Sequence, residues 1–587
     1  MKKCLYYAMI FRVSLLLVPF VSTLFAGELS QPNYKVIEEL DVRVTMRDGI
    51  DLSTNVYRPD APGKFPALLV RTPYGNGGVD NSSGHYFAER RYVVVIQDTR
   101  GRYESEGVFY PVAYETNDGI DTHEWVIKQP WSNGKLGTFG GSYVGMTQWM
   151  PALKGSTDLV AMFTYVPYTE GYSVWFQQGA LRLRLLTEWY AMMTAPYDFD
   201  EKIFMEDKID TVNRSLPLGD QDKSLGWRMP FARDLLNHPE HDSYWEPMKY
   251  EGNYKNIDAA GYIVAGWYDL FTGQNLKSFM EMNGESIKPT VRSKQKLLVG
   301  PWGHGVSKDG TLGDLDFGKE AVIDVQELRL RWFDYHLKGI DTGIMDEPPV
   351  KIFVMGDNVW RTENEWPLKR TRYTKYYLHS SGSANSKDGD GSLNQILPKK
   401  EPNDSYVYDP IDPVPSMPDS TIFSDFRHYP HNHSLLEGRN DILVYTTSAL
   451  KEDTEVTGPI ALTLFASSSA VNTDFTGKLL DVYPDGRAMY LCDGIIRTSF
   501  RDGPTHTSNI ESSRVYEYHI DLWATSNVFK KGHKIRIEIS SSNFPRFDRN
   551  LNTGRNFTTE TEPIKATQAI YHTKEYPSHI VLPVIPR

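Results

Sequence analysis

One serine of this sequence lies in a glycine-rich turn whose shape would let it act as a nucleophile. Ser142 lies in the segment Gly-Gly-Ser-Tyr-Val-Gly at 140–145, between an apolar run that ends at Phe139 and a helix-like stretch from Met146. A strand, a sharp turn and a helix in this order lift a serine hydroxyl clear of a sheet, and small neighbours relieve the strained backbone. The spacing G-x-S-x-x-G differs from the commoner G-x-S-x-G, so a tight turn that merely contains a serine is the alternative.

Asp269 and His304 follow two later apolar runs, in the order acid, then histidine that α/β-hydrolases have after the serine. A serine hydroxyl needs a histidine as its base, and the histidine needs a carboxylate that orients it. Asp269 follows the run at 262–265, and His304 follows the run at 297–299. Taken singly, each fits a solvated loop residue. Three such residues in this order, each just past a strand end, predict a catalytic triad.

Alternating strands and helices predict the fold that would position these residues. Short apolar runs at 65–70, 92–96, 261–265, 296–299 and 350–354 are typical of strands buried on both faces of a parallel sheet, the last of them closing the core. A hairpin is predicted over 34–57, and a helix over 113–126. We therefore expect an α/β core formed by residues 27–150 and 257–368.

Two further units are expected around this core. Residues 151–256 contain arginine, leucine, tryptophan and methionine at helical spacing and few strand-like runs, which predicts an inserted helical cap. From 369 to 587 short stretches alternate in polarity, as at Ile460, Leu462 and Leu464. This pattern predicts a C-terminal all-β domain, a β-sandwich of jelly-roll type.

The amino-terminal residues and the charge indicate where the protein acts. Lys2, Lys3 and Arg12 precede an apolar run at 13–25, which is short for a membrane span and predicts a cleaved signal peptide at 1–26. We expect an exported protein, periplasmic or secreted, without a membrane span. Only Cys492 would remain after cleavage, so no internal disulfide is expected. The net charge of −12 gives no reason to expect nucleic acid as a partner.

Several segments together resemble the cocaine esterase and X-prolyl dipeptidyl-peptidase-like family of serine hydrolases. In that family the turn reads G-x-S-Y-x-G, which matches the spacing here. The resemblance spans nearly the whole mature chain and implies an α/β-hydrolase core, a cap and a jelly roll. The matching segments are Arg-Thr-Pro-Tyr at 71–74, Gln-Asp-Thr-Arg-Gly at 97–101, Ser-Glu-Gly at 105–107, the turn at 140–145, Gly-Trp-Tyr-Asp at 266–269, Gly-Pro-Trp-Gly-His at 300–304, Gly-His-Lys-Ile-Arg at 532–536 and Ser-Ser-Ser-Asn-Phe-Pro-Arg at 540–546.

The resemblance also implies a role for each site residue. Ser142 would be the nucleophile, His304 the general base and acid, and Asp269 the carboxylate that orients the histidine. The Tyr74 hydroxyl and the backbone N–H of Tyr143 would form the oxyanion hole, since a phenol and an amide are both hydrogen-bond donors. A loop tyrosine that follows a proline is the alternative for Tyr74.

The substrate pocket is less defined by the sequence. Phe271 matches an aromatic residue that lines the acyl pocket in the cocaine esterase-like branch, and Trp149, Trp175 and Trp189 are candidates for other walls. The alternative is that the cap tryptophans fill the core of the cap. In the α-amino acid ester hydrolases of this family, carboxylates just after the catalytic acid help to hold the ammonium group of the substrate. Residues 270–272 occupy those positions here and contain no acid, and burial of an ammonium group without a partner is costly. An acid could still come from the cap, where Glu188 is available.

The expected substrate is therefore a small molecule: an apolar or aromatic acyl ester, or an amide such as a β-lactam side-chain acyl group. An X-Pro dipeptidyl-peptidase and an α-amino-acid ester hydrolase are the enzymatic alternatives. A different class also fits, namely an inactive hydrolase scaffold whose jelly roll binds a glycan or a protein at the cell surface. A homo-oligomer is left open.

No metal or cofactor is expected. His428, His431 and His433 lie in a proline-containing loop without metal-site spacing, and the segment at 238–242 fits a solvated turn. The Asp-Gly-Asp-Gly segment at 388–391 lacks the glutamate that a calcium loop needs. Asp98, Arg100 and Arg102 belong to the family signature, and we interpret them as a structural charge cluster beneath the site and not as catalytic residues.

Overall fold

A computed structural model describes residues 27–77, 81–156, 158–194, 208–250, 252–417 and 430–587. The signal peptide predicted at 1–26 lies outside these residues. Two large sheets organise the chain, one with ten strands and one with eleven. None of the helices in the described ranges is both long and apolar enough to span a bilayer.

The ten-stranded sheet and the helices form the N-terminal part. Its strands follow the spatial order β1-β2-β4-β3-β5-β6-β9-β10-β13-β14. The strands of this part, of which β7, β8, β11 and β12 lie outside the large sheet, are β1 (Val36–Thr45), β2 (Asp51–Pro59), β3 (Phe65–Thr72), β4 (Val93–Asp98), β5 (Ser132–Gly141), β6 (Leu159–Tyr165), β7 (Phe176–Gln177), β8 (Ala180–Leu181), β9 (Ala260–Gly266), β10 (Gln295–Gly300), β11 (Thr311–Leu312), β12 (Leu315–Asp316), β13 (Val350–Val354) and β14 (Val359–Glu363). The helices are α1 (Asn81–Ala88), α2 (Glu115–Lys128), α3 (Tyr143–Ala152), α4 (Gly171–Trp175), α5 (Leu183–Thr194), α6 (Ile209–Arg214), α7 (Gln221–Leu225), α8 (Pro230–Leu236), α9 (Thr272–Met282), α10 (Pro289–Arg292) and α11 (Val325–Phe333).

The core sheet confirms the predicted α/β class. Strands β3, β4, β5, β6, β9, β10 and β13 pair in parallel, whereas β1, β2 and β14 join antiparallel at the edges. The predicted apolar runs form β3, β4, β9, β10 and β13. Every residue of β3, β4, β9 and β10 is buried, because helices cover both faces of the sheet.

Two boundaries differ from the prediction. Strand β6 lies inside the range 151–256 that was assigned to the cap, and it pairs with β5 and β9 in the middle of the sheet. The prediction was wrong here because a seven-residue apolar run between helical segments fits a strand or a buried helix equally well. The strand at 350–354 is also not the last of the core, because β14 follows it as a partly exposed edge strand without an apolar run.

The C-terminal part is all-β, as predicted. Its antiparallel strand β19 has Ile460, Leu462 and Leu464 buried while Pro459 and Ala461 are exposed, which is the period-two pattern read from the sequence. The strands are β15 (Arg372–His379), β16 (Ser392–Asn394), β17 (Asp404–Tyr408), β18 (Leu443–Thr446), β19 (Thr454–Ser468), β20 (Asp474–Val482), β21 (Ala488–Arg497), β22 (Tyr516–Phe529), β23 (Lys534–Ser540), β24 (Ala566–Tyr571) and β25 (His579–Ile585).

The all-β domain packs directly on the α/β core. The backbone N–H of Met355 donates to the Ser526 carbonyl (3.0 Å), and that of Val528 donates to the Met355 carbonyl (2.8 Å). These bonds extend the end of β13 onto β22. The cap touches the domain as well, since the Leu181 N–H donates to the Asp548 carboxylate at 2.9 Å. All three units therefore meet near the ends of the core strands.

Candidate active site

Ser142, Asp269 and His304 leave the same edge of the core sheet. Strands β5, β9 and β10 end at Gly141, Gly266 and Gly300, and β6 lies between β5 and β9 in the sheet order. Because these strands are parallel, their carboxyl ends share one edge, which is where ligands bind in α/β sheets.

The backbone at Ser142 has the geometry of a nucleophile elbow. Its φ of 56° and ψ of −124° lie in a region that side chains rarely adopt, and α3 begins at the next residue. A Cβ on Gly140 would lie 2.2 Å from the Val144 side chain, and a Cβ on Gly145 would lie 2.8 Å from that of Pro167. The close approach of Pro167 explains why residue 145 is a glycine.

His304 and Asp269 form a short, buried hydrogen bond. The distance between His304 Nδ1 and Asp269 Oδ2 is 2.5 Å, and the Asp269 side chain has no solvent exposure. The other carboxylate oxygen, Oδ1, accepts the backbone N–H of Phe271 at 2.9 Å. An aspartate on Nδ1 selects the tautomer whose Nε2 can accept a proton from a serine.

The Tyr74 phenol lies against Ser142. The Ser142 side chain lies close to its oxygen, which accepts the indole N–H of Trp189 at 3.2 Å. Burial raises the pKa of Tyr74, although the bond from Trp189, the nearby Ser142 side chain and the charge of Arg102 oppose this shift. The phenol therefore stays protonated at neutral pH and can donate its hydrogen to a developing oxyanion.

Arg102 holds the loop that carries Tyr74. Its Nε donates to the Pro73 carbonyl at 2.9 Å, and its Nη1 donates to the Met193 carbonyl of the cap at 2.7 Å. Arg100, in contrast, forms an ion pair with Asp118 at 2.7 Å. Arg100 thus has the structural role expected from the sequence, whereas Arg102 joins the core loop to the cap beside the site.

Tyr143 anchors the first turn of α3. As the first residue of the helix, its backbone N–H has no partner within the helix and is free to bind an oxyanion. Its phenol donates to Glu115 at 2.8 Å and accepts the Val112 N–H at 3.0 Å. Glu115 in turn pairs with the buried Arg71 at 2.7 Å. This network fixes the helix end on which the oxyanion hole would depend.

An aromatic wall surrounds the predicted site residues. Phe271 lies edge-on to the His304 ring (centroids 5.5 Å apart) and contacts Tyr168 (5.6 Å). Trp189 stacks on Tyr143 at 5.7 Å. Trp175 is one layer further out, at 5.9 Å from Trp189 and 4.9 Å from Tyr190. Phe271 and Trp189 thus lie at the site, whereas Trp175 packs behind Trp189 within the cap.

Trp149 does not reach this wall. It is fully buried, and its ring contacts Tyr254 at 5.9 Å. The sequence analysis named it as a candidate for a wall of the pocket. However, α3 is buried on every side, so a residue two turns into it packs into the core.

Tyr168 was missed by the sequence analysis, although it contacts both Phe271 and Tyr143. It comes three residues after Tyr165, the end of β6. Since that strand was read as part of the cap, nothing indicated that Tyr168 lies at the functional edge of the sheet.

The polar clusters outside the site have structural partners. His238 pairs with Asp242 at 2.6 Å, and His433 is buried and stacks on Tyr490. His428 lies outside the described residues. Within the ranges that the structure describes, no group of three or more His, Cys, Asp or Glu side chains could hold a metal ion.

A second Ser-His-Asp grouping lies in the β domain. Ser380 Oγ donates to Asp404 at 2.7 Å and lies 3.5 Å from His572 Nε2, which bonds Asp404 at 2.9 Å. The serine here bonds the carboxylate directly, and His572 is fully buried. Without an exposed serine or an elbow, this grouping is a buried polar cluster.

The fold and the elbow serine define the class of this protein: it is a serine hydrolase on an α/β-hydrolase core. Two family models match the chain, namely "X-Pro dipeptidyl-peptidase (S15 family)" over residues 48–306 and "X-Pro dipeptidyl-peptidase C-terminal non-catalytic domain" over residues 342–581. The chain is also 39% identical over 580 residues to the cocaine esterase of Rhodococcus sp. (strain MB1 Bresler), an alignment that covers 94% of this chain and 99% of that protein. It therefore belongs to the cocaine esterase and X-Pro dipeptidyl-peptidase family, as the sequence predicted.

Two solved structures are similar over nearly their whole length. An aminopeptidase from a marine sediment Thaumarchaeota archaeon has a TM-score of 0.81 at 27% identity, with 94% of this chain and 97% of that one covered. An α-amino acid ester hydrolase has a TM-score of 0.81 at 25% identity, with coverages of 97% and 100%. The family thus includes named esterases and peptidases, so membership alone does not define the substrate.

Proposed function

We propose that the protein cleaves acyl esters or amides through a Ser142-His304-Asp269 triad and an acyl-enzyme intermediate. The observation that carries this proposal is the 2.5 Å bond between His304 and Asp269 at the sheet edge where Ser142 occupies a strained elbow. A strained serine at this position is rarely retained without a functional reason.

The geometry supports the following sequence of steps. Ser142 Oγ attacks the acyl carbonyl while His304 Nε2 takes its proton, and Asp269 stabilises the imidazolium. The oxyanion accepts hydrogen bonds from the Tyr74 hydroxyl and the Tyr143 N–H. His304 then protonates the leaving alcohol or amine as the acyl-enzyme forms. A water molecule, deprotonated by His304, releases the acid and restores Ser142.

The lining of the site favours an apolar or aromatic acyl group without a free α-amine. Phe271, Tyr168 and Trp189 offer rings, and residues 270–272 offer no acid. Glu188, the cap acid that could have met an ammonium group, is bonded to Arg184 at 2.5 Å. An ammonium group would have to compete with this ion pair. The relative named as a cocaine esterase supports the ester proposal.

A substrate panel tests the proposed specificity. We expect p-nitrophenyl esters of aromatic acids to be cleaved with a higher kcat/KM than X-Pro-p-nitroanilides, because an amine would have to compete with Arg184 for the Glu188 carboxylate. The matched pair is a phenylacetate ester and the phenylglycine ester that adds only the α-amine. Faster cleavage of the phenylglycine ester or of the X-Pro anilide would overturn the proposal.

Tyr74→Phe tests the oxyanion hole. Removing the phenolic hydrogen is expected to lower kcat by about 10²–10³ with little change in KM, since the bond strengthens only in the transition state. Tyr250→Phe is the control, because Tyr250 is a buried tyrosine that lines a separate cavity between the cap and the β domain. Equal effects of the two substitutions would assign Tyr74 a packing role only.

A further inference from the structure

The β domain and the predicted catalytic acid, Asp269, line the same small cavity. A cavity of about 20 Å³, which is room for one water molecule, lies between the end of β9 and the β domain. Asp269 lines it from the core, and Arg546 lines it from the β domain. Arg546 ends the segment at 540–546 that carried part of the family resemblance, and the steps proposed above give it no role.

Arg546 is held in place inside its own domain. Its Nη2 pairs with Asp493 at 3.2 Å, and the Asp493 side chain is fully buried and also accepts the Asn543 amide at 2.7 Å. A second guanidinium nitrogen, Nη1, is buried and has no hydrogen-bond partner among the described residues. The positive charge is thus fixed beside the cavity that it shares with Asp269.

A second arginine approaches the same point from the cap. Arg182 is 3% exposed, and its Nη1 donates to the Leu270 carbonyl at 3.2 Å, one residue after Asp269. The Trp523 ring covers the guanidinium at 4.8 Å. Burial and the neighbouring charge of Arg546 lower the pKa of Arg182 to about 9, against the opposing effect of Asp493 and Asp269, so it remains charged at neutral pH.

The two arginines provide positive charge that compensates the buried Asp269 carboxylate. A carboxylate without solvent exposure is costly unless nearby positive charges and hydrogen bonds compensate it. Asp269 receives bonds from His304 and from the Phe271 N–H, but these alone provide no permanent positive charge. Two arginines and the two aspartates at 269 and 493 make this buried cluster close to neutral.

We propose that Arg546 of the β domain, assisted by Arg182 of the cap, is a positioning residue whose positive charge stabilises the buried Asp269 carboxylate and keeps it aligned on His304. The inference rests on the proposed function, because it assigns both arginines a role through the triad. The β domain, whose family model is described as non-catalytic, then completes the electrostatics of the active site.

The other titratable groups around Asp269 do not change charge near neutral pH. Burial raises the pKa of Tyr268, of Tyr490 and of Cys492 well above the usual values, so all three are neutral there. The carboxylate of Asp493 is already paired with Arg546. Replacing Arg546 with a neutral residue therefore removes one positive charge that Tyr268, Tyr490 and Cys492 do not replace.

The test is the pH profile of kcat/KM for ester cleavage by full-length Arg546→Met and Arg546→Lys. Loss of a positive charge beside the triad favours the more protonated, inactive form of the site, which moves the acidic limb of this pH profile to higher pH. We expect a shift of about half to one pH unit in Arg546→Met. Arg546→Lys keeps the charge, so its acidic limb should stay close to that of the wild type.

Arg536→Met is the matched control. Arg536 lies in the same domain with a similar side-chain exposure (11% against 14% for Arg546), but it pairs with Glu437 and Thr446. This substitution is expected to lower the melting temperature and leave the acidic limb in place. A shift of equal size in Arg536→Met would show a general loss of stability and overturn the proposal.

The remaining outcomes are also decisive. A folded Arg546→Met enzyme with an unmoved acidic limb would overturn the inference while leaving the triad intact. If Arg546→Met does not fold, Arg182→Met is expected to move the limb in the same direction, and an unmoved limb there would overturn the inference. Failure of the wild type to cleave any ester or amide, in contrast, would count against the proposed function itself.

Discussion

Ser142→Ala is expected to abolish both turnover and labelling by a fluorophosphonate. Without the hydroxyl no acyl-enzyme can form, and loss of a single triad residue commonly costs about 10⁴–10⁶ in kcat. The elbow should keep its shape, because alanine is only slightly smaller than serine and the close contacts of the turn are made by Gly140 and Gly145. Ester cleavage under saturating substrate and mass spectrometry of the labelled peptide measure the two effects.

Ser380→Ala is the control for this experiment. Ser380 also has an aspartate and a histidine within reach, but it is buried and bonds the carboxylate directly. Turnover and labelling should therefore survive its loss. A wild-type protein that never labels, or labelling that persists in Ser142→Ala, would instead support the alternative of an inactive scaffold that binds a glycan or a protein.

Asp269→Asn is expected to lower kcat by about 10⁴ while leaving substrate binding largely intact. The oxygen of the new amide can still accept the Phe271 N–H, so the amide nitrogen would face His304 Nδ1. That arrangement favours the tautomer with the proton on Nε2, which cannot accept the proton of Ser142. Steady-state kinetics with an aromatic ester measure the loss, and added hydroxide should restore part of the rate.

Asp404→Asn provides the matched control for the aspartate. Asp404 is a buried carboxylate bonded to a histidine, His572 Nε2, at 2.9 Å, as Asp269 is to His304. Burial opposes ionisation of Asp404, but bonds from His572, the Ala384 N–H and Ser380 lower its pKa overall. We expect Asp404→Asn to reduce thermal stability with kcat nearly unchanged. A kcat that falls equally in both variants would remove the argument for a triad role of Asp269.

The α/β core, the all-β domain and the family could all be predicted from the amino-acid sequence. Apolar runs such as 65–70 and 296–299, which alternate with helical stretches, fit strands covered on both faces, and the alternation at 460–464 fits a sheet with one face buried. The order of Ser142, Asp269 and His304, each just past a run, placed them at one sheet edge because parallel strands end on the same side. Each of these patterns lies within a short segment of the chain, so it can be read without knowing how distant segments pack.

Which other side chains reach this edge depends on tertiary packing. Trp149 follows the nucleophile in sequence yet packs into the core, whereas Tyr168 reaches the site because β6 belongs to the sheet and not to the cap. Arg182 and Arg546 come from different units of the chain and meet near Asp269. Such contacts form only when the α/β core, the cap and the β domain pack against each other. The sequence pattern of one unit does not determine how it packs on the other two.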